Sequence, residues 1–367
     1  MGNITFMVGN GFDVNLGLKT RYTDYYGIYT KIKPDDSKVV KQFKTEILKD
    51  TLDWKDWKDF EFGMGDKSKD FVGASQAEDF IECVDDFVVG YIDYLKSECA
   101  KVDWGAVSDS IYRAFEQSIR FFYQHIRSVN QSNVKSLTFL NDSQTTINFL
   151  QLNYTNVLDA LIDRSNLART INTLLRQGNR EINRFGKNLH IHGRMDGGYP
   201  AIGVNDVSQL TNPILRKSPE VKRAFVKPDF LTSLENRDVN QKIDRSQAVE
   251  ITRLSNVICS FGCSIGDTDK FWWELIGESL IQSNRLLIIF DICGSIDDGI
   301  SRRAILDNDN AVSERKNELI ERFVRLSGLA PEWPTANPDR IIIELDTDMF
   351  KFKLPLINDV CESRNDN

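Results

Sequence analysis

Two glycine-rich turns, an asparagine and a histidine each follow a short apolar run in this 367-residue chain. The first turn lies in "VGNGFDVNLGL", where Gly9 and Gly11 come directly after Ile4–Val8. A strand ending in such a turn presents backbone N–H groups at the carboxyl edge of a sheet, and glycine lets a ligand approach the main chain closely. The third glycine of the dehydrogenase fingerprint is missing from its place, as is the G-K-S/T of a P-loop. A tight turn with no ligand reads the same way. The second turn lies in "VICSFGCSIGDTDKFWWELI". There Val257–Phe261 runs into Gly262, Ser264 and Gly266, and Asp267 or Thr268 is placed to cap a helix carrying Phe271, Trp272 and Leu275. It is a second candidate cradle for phosphate or ribose.

Asn153 ends the apolar run of "FLQLNYTNVLDAL". Its amide both donates and accepts, which suits a ribose hydroxyl or a water; a helix cap by Asn153 or Thr155 is the competing reading. His192 closes the run Leu189–His192 and is followed by Gly193. A histidine at a strand end titrates near neutrality and can act as a base, although a lone histidine is more often a packed residue. His190 lies one step deeper on the same face. The chain has three histidines, the other being His125, so a metal site built on histidine is poorly supplied and no metal is expected.

The elements that must position these residues follow from the apolar runs. Ile4–Val8, Thr146–Leu152, Leu189–His192, Val257–Phe261, Leu286–Ile292 and Ile341–Leu345 have strand length and wide spacing. Nearly continuous apolar strands separated by helical stretches predict a mostly parallel sheet with helices on both faces, a Rossmann-like α/β fold in a single domain over 1–367. Helical spacing runs through Phe80, Cys83, Val84, Phe87, Tyr91, Ile92 and Leu95, and again through Trp104, Val107, Ile111, Phe115, Ile119, Phe122 and Ile126. It predicts a helical insertion over about 37–135, after the first strand. Residues 205–250, polar and bearing Pro213, Pro219 and Pro228, read as an irregular lid or connector. The tail "ESRNDN" is expected to fray.

Composition narrows the class. With 41% hydrophobic and 27% charged residues the chain reads as a soluble globular protein, and its net charge of -8 argues against general nucleic-acid binding. Arg216, Lys217, Lys222, Arg223 and Lys227 form the best basic patch, read as a solvated face. No run approaches the length of a membrane span or a signal peptide, and "MGNITF" has Phe6 where a myristoylation site needs Ser or Thr. Of the six cysteines none forms a C-x-x-C pair. Buried thiols in a reducing cytoplasm are the expectation.

Taken together, "GNGFDVNLGLKTRYTDY", "WKDFE" at Trp57–Glu61, "LNYTNVLD" at 152–159, "HIHG" at 190–193, "IGVND" at 202–206 and "FGCSIGDTD" at 261–269 resemble, in order, the blocks of the AbiH-like abortive-infection family of bacterial phage-defence proteins. That family resembles a distant branch of the sirtuin-like NAD-binding fold. The resemblance implies that Gly9, Gly11, Gly262 and Ser264 hold a dinucleotide while Asn153 and His192 surround the nicotinamide ribose. Asn10, Phe12, Tyr154, Gly193 and Asp267 complete the implied cofactor-binding set. The zinc module of sirtuin deacylases has no counterpart here, so deacylation is not expected. Asp13 stands where the sirtuin turn usually has Ser.

The activity that the resemblance implies is hydrolysis of NAD to ADP-ribose and nicotinamide. The pyridinium leaves as a neutral amine, so no general acid is needed, and the transition state is oxocarbenium-like, as in glycoside hydrolysis. Asn153 would orient the water or the ribose hydroxyls, and His192 would act as base or hydroxyl contact. Asp13 or Glu61 would place negative charge near the developing cation, Glu61 with its pKa raised beside Trp54, Trp57 and Phe60. A non-enzymatic nucleotide sensor that switches a partner, and a nuclease effector, are the alternatives. A phage-derived activator, a partner subunit or a homo-oligomer is implied as the means of restraint.

Overall fold

In the computed structural model, which describes residues 2–50, 59–138, 145–165, 167, 183–197, 200–235, 239–282, 285–292 and 302–357, six strands form one sheet. The first strand, β1 (Gly2–Val8), is separated from β2 (Thr145–Gln151) by helices α1 (Gly11–Asn15), α2 (Tyr22–Tyr29), α3 (Lys38–Asp50), α4 (Phe60–Lys67), α5 (Gln76–Ala100), α6 (Asp109–Arg120) and α7 (Ser128–Thr138). Helix α8 (Val157–Arg164) leads towards β3 (Asn183–His190). Then come α9 (Pro219–Phe225), α10 (Lys227–Glu235), α11 (Val239–Leu254), β4 (Val257–Phe261), α12 (Lys270–Ile281) and β5 (Leu286–Asp291). Helices α13 (Arg302–Ser327) and α14 (Trp333–Ala336) precede β6 (Ile341–Leu345).

The strand order is β3-β2-β1-β4-β5-β6 and every pairing is parallel. This is the Rossmann-like order, whose direction of winding reverses between β1 and β4. Both faces are covered, which is why the central strands show no alternation of polarity. Phe6, Val8, Phe149, Cys259 and Ile288 pack with Phe115 and Ile119 of α6, Phe122 beyond it, and Leu158 and Leu161 of α8. On the opposite face Met7, Leu150, Ile258 and Ile289 pack with Ala248 of α11, Trp273 and Ile276 of α12, and Phe323 of α13.

A further core is rich in aromatic rings. Tyr25, Tyr26 and Tyr29 of α2, Phe43 of α3, Phe60 of α4 and Phe87 and Tyr91 of α5 pack with Val221 and Phe225 of α9. The helical insertion therefore divides: α2–α5 make this aromatic core with α9, while α6 covers the sheet. Tyr91 ties the two regions together by donating to the Thr20 carbonyl at 2.6 Å.

Four expectations need correction. The helical region runs from Gly11 to Thr138, wider than 37–135, and its second apolar stripe is not one helix: α6 ends at Arg120 and a 3₁₀ turn, Phe122–His125, follows. Residues 205–250 are not irregular but largely helical, because Pro219 opens α9 just after its cap Ser218, whose Oγ accepts from the Val221 amide at 3.3 Å. Strand β3 ends at His190, so His192 lies two residues past it. Neither Asp267 nor Thr268 caps α12 through its side chain; Asp269 is its N-cap residue, and its side chain makes no capping hydrogen bond to the helix. Trp54, Trp57, Cys293, Cys361 and the tail lie outside the described residues. Of the other thiols, Cys83 and Cys259 are buried and Cys99 and Cys263 half-buried, all free. No helix among the described residues is long and apolar enough to cross a membrane.

Candidate functional site

The sheet register brings four strand ends into one row. Val8 pairs with Gln151 on one side and Phe261 on the other, and Gln151 pairs with His190. The residues that follow these four therefore leave the same edge, at the point where the winding reverses.

The two glycine turns meet there, and they meet each other. The Gly9 amide donates to the Phe261 carbonyl at 3.0 Å and the Gly11 amide to the Gly262 carbonyl at 2.8 Å. A Cβ on Gly9 would stand 2.5 Å from the Gly262 oxygen, and one on Gly11 2.6 Å from the Gly262 Cα. Gly262 itself has φ +65°. The glycines of these turns are thus required by close approach of one turn to the other. Asn10 pins the first turn from outside, donating from Nδ2 to the Thr20 carbonyl at 2.9 Å and accepting from Thr20 Oγ1 at 2.6 Å.

Beside the turns opens a cleft of about 630 Å³. Its buried wall is an acidic group around one lysine. Asp59 caps α4, accepting from the Glu61 and Phe62 amides at 3.0 and 3.3 Å, and so fixes Glu61 in the first turn. The isolated bridge Val204–Val226 places Lys227 at the start of α10. Lys227 Nζ lies 2.8 Å from Glu61 Oε2 and 2.8 Å from Asp269 Oδ1, and donates to the Thr268 carbonyl at 3.1 Å. His192 Nε2 stands 3.3 Å from the same Asp269 oxygen. Tyr154 donates to Glu61 Oε1 at 3.2 Å and Tyr22 to the same atom at 3.4 Å.

Burial sets the protonation of this group. It raises the Glu61 carboxyl, Lys227 pulls it back, and Asp59 and Asp269 raise it again, leaving it at about 7. Burial also raises Asp59, against the pull of Lys227. For Asp269 the burial penalty is outweighed by Lys227 and His192, so its carboxyl sits below the ordinary value. Lys227 is raised above its ordinary value because Asp269 and Glu61 outweigh its burial. Burial, then the Lys227 ammonium, hold His192 down to about 4 against the pull of Asp269. At neutral pH His192 is therefore uncharged, and Glu61 is the group poised to exchange a proton.

Of the residues expected at the site, Gly9, Asn10, Gly11, Glu61, Tyr154, His192, Gly262, Ser264 and Asp267 line the cleft. Four others are absent from its lining. Phe12 is core, edge-on to Phe261 and Phe350 with ring centres 6.2 and 5.1 Å away. Asp13 is fully buried, accepts from Thr155 Oγ1 at 2.5 Å, and is pushed up to about 7 by burial. Asn153 is 3% exposed, and neither polar atom of its side chain has a hydrogen-bond partner. Gly193 has φ +79° and carries the turn after His192. His190 is also absent from the lining, with Nε2 2.9 Å from Asp159 Oδ2 and Nδ1 3.3 Å from the Asn153 carbonyl. Neither Asn153 nor Thr155 caps α8 through its side chain; Asn156 is the N-cap residue.

Sequence reasoning missed Asp59, Lys227, Asp269, Tyr22 and the cleft arginines Arg21, Arg322 and Arg325. Lys227 was grouped with four surface cations; the apolar Phe225 and Val226 before it were the available signal. Asp269 stands in "GDTDKFWW", an acid one residue removed from an aromatic run. Among the described residues no group of three or more His, Cys, Asp or Glu is arranged to hold a metal ion.

No curated protein matches the chain. Residues 5–291 match the family model described as bacteriophage abortive infection AbiH. That stretch contains both glycine turns, the acidic group and His192, and the chain belongs to the AbiH family of bacteriophage abortive infection proteins.

Proposed function

We propose that this protein is an abortive-infection effector that hydrolyses the nicotinamide–ribose bond of NAD, in the manner of a distant sirtuin-like branch. The observation that carries the reading is Glu61, a buried carboxyl near pKa 7 in the wall of a dinucleotide-sized cleft at the reversal point of a Rossmann-like sheet. A cationic pyridinium ribosyl group beside Glu61 favours its ionised form. As the bond to nicotinamide breaks, positive charge moves onto the ribose, and the Glu61 carboxylate stabilises it. Water adds to the anomeric carbon, and its proton passes to Glu61.

This assigns the base differently from the sequence alone. A general base works best with a pKa near the operating pH, and such help is worth about 10²–10⁴-fold. Glu61 at about 7 meets that condition, while His192 at about 4 does not. His192, neutral and held by Asp269, is suited to a ribose hydroxyl. Lys227 and Asp269 set the field in which Glu61 titrates. Asn153 backs the wall from outside the lining.

The test is incubation of the full chain with NAD, alone and with extract of phage-infected cells, followed by chromatography. The wild type is expected to produce ADP-ribose and nicotinamide. Glu61→Gln is expected to lose at least about 100-fold of that rate with a wild-type melting curve. Equal NAD consumption by wild type and Glu61→Gln under both conditions, including none by either, removes the proposal.

A further inference from the structure

The cleft is electrically two-ended. Glu61 and Asp269 in its wall are 5% and 11% exposed at the side chain, whereas Arg322 and Arg325 at its mouth are 45% and 57% exposed. Both arginines come from α13, one turn apart, so their guanidinium groups reach the same rim of the cleft. They also lie beyond residue 291, where the family match ends, and belong to this chain's own sequence.

Arg325 is already holding an anion. Its Nη1 donates to Asp267 Oδ1 at 2.8 Å and its Nη2 to Asp267 Oδ2 at 3.1 Å. This two-pronged grip on two oxygens is the geometry a guanidinium uses for phosphate. Asp267 follows Gly266 directly, in the turn after β4 that the sequence marks as a phosphate cradle. Arg322 is less engaged, with Glu318 Oε1 at 3.9 Å.

We infer that Asp267 occupies the anion seat of Arg325, and that the diphosphate of a nucleotide displaces it and is held by Arg325 and Arg322 together. Two guanidinium groups about 5–6 Å apart at their origins match two linked phosphates better than one. The inference rests on the proposed dinucleotide reading and extends it: the mouth takes the diphosphate while the acidic wall takes the cationic end. Asp267 sets selectivity, since a ligand must offer Arg325 more than a carboxylate does.

Calorimetric titration of inorganic pyrophosphate and of orthophosphate into the full chain tests this without any turnover. Pyrophosphate is expected to bind more tightly than orthophosphate. Asp267→Asn is expected to bind pyrophosphate about tenfold more tightly than wild type, and Arg325→Gln or Arg322→Gln at least about tenfold more weakly, in line with one charged hydrogen-bonded pair. Asp267→Asn combined with Arg325→Gln is expected to gain nothing over Arg325→Gln alone. Melting curves of these exposed-site variants should match wild type. Undetectable pyrophosphate binding, weaker binding by Asp267→Asn, or indifference to both arginine changes overturns the inference. The expected pyrophosphate pattern without NAD consumption keeps the anion seat and removes the glycohydrolase. NAD consumption whose KM ignores Arg322→Gln and Arg325→Gln does the reverse.

Discussion

Lys227 and Glu61 face each other at 2.8 Å with side chains only 6% and 5% exposed. The pair is not isolated, because Asp269 shares the ammonium and Asp59 adds a further carboxyl. Three acids around one base leave an excess of negative charge, which Glu61 relieves by holding a proton near neutrality. Removing the base should therefore be costly. Lys227→Met is expected to lose about 3–5 kcal/mol of stability by leaving buried carboxylates unpaired. Lys227→Met with Glu61→Gln should recover part of that loss. Chemical denaturation of both variants at pH 8 measures it, and a double variant no more stable than Lys227→Met contradicts the charge argument.

The same group predicts a pH–rate profile. For NAD consumption, kcat/KM of the free enzyme should fall about tenfold per pH unit below a pKa near 7, as Glu61 takes up its proton, and level off above it. His192, held down at about 4, adds no inflection between pH 6 and 9. A flat profile from pH 5.5 to 8 would exclude Glu61 as the titrating base.

Asp13 makes a prediction about stability alone. Its pKa is raised from 3.8 to about 7 in the folded chain, so between those values the native state binds more protons than the unfolded one. Its contribution is thus fully present below about pH 4 and is lost as pH rises to 7. Asp13→Asn lacks that loss while keeping an acceptor for Thr155. The variant should gain on wild type from pH 5 to pH 8 by up to about 3 kcal/mol. Paired melting curves at the two pH values read the difference; parallel curves would show that Asp13 does not titrate in this window.

Glycine substitutions separate close approach from mere flexibility. Gly9→Ala drives a Cβ to 2.5 Å from a backbone oxygen that has no side chain to move aside, and should cost at least about 3 kcal/mol, the upper range of overpacking. Gly27, exposed within α2, has nothing within 4 Å of its added Cβ. Gly27→Ala should stabilise by about 0.5–1 kcal/mol through helix propensity. Thermal melts of the two variants should move in opposite directions.

The central strands were legible because burial on both faces leaves a nearly continuous apolar run. This holds for Ile4–Val8, Val257–Phe261 and the Leu286–Asp291 part of Leu286–Ile292. The edge strand β3 carries Arg184, Lys187 and Asn188 in its exposed half, so only its last apolar residues stood out and its extent was misjudged. The glycine turns were legible as turns, but not the reason for them: Gly9 answers to Gly262, and a one-dimensional pattern does not reveal a contact between residues so far apart. Glu61 and His192 were legible as candidates. Lys227 was not, since charge in a sequence says nothing about burial, and the bridge that carries it inward joins Val204 to Val226. Arg322 and Arg325 drew no reading from the sequence, because nothing local to them shows that α13 brings them to the cleft.

The parallel sheet also dictates when this cleft can come into being. A ribosome releases β1 first, but its two sheet neighbours are β2 and β4, starting at Thr145 and Val257, and the arginines of the mouth follow at 322 and 325. Domains whose contacts join distant segments close late in synthesis. This nascent chain therefore carries no completed pocket until α13 has emerged, and any product cut short before α13 is born without its cationic mouth.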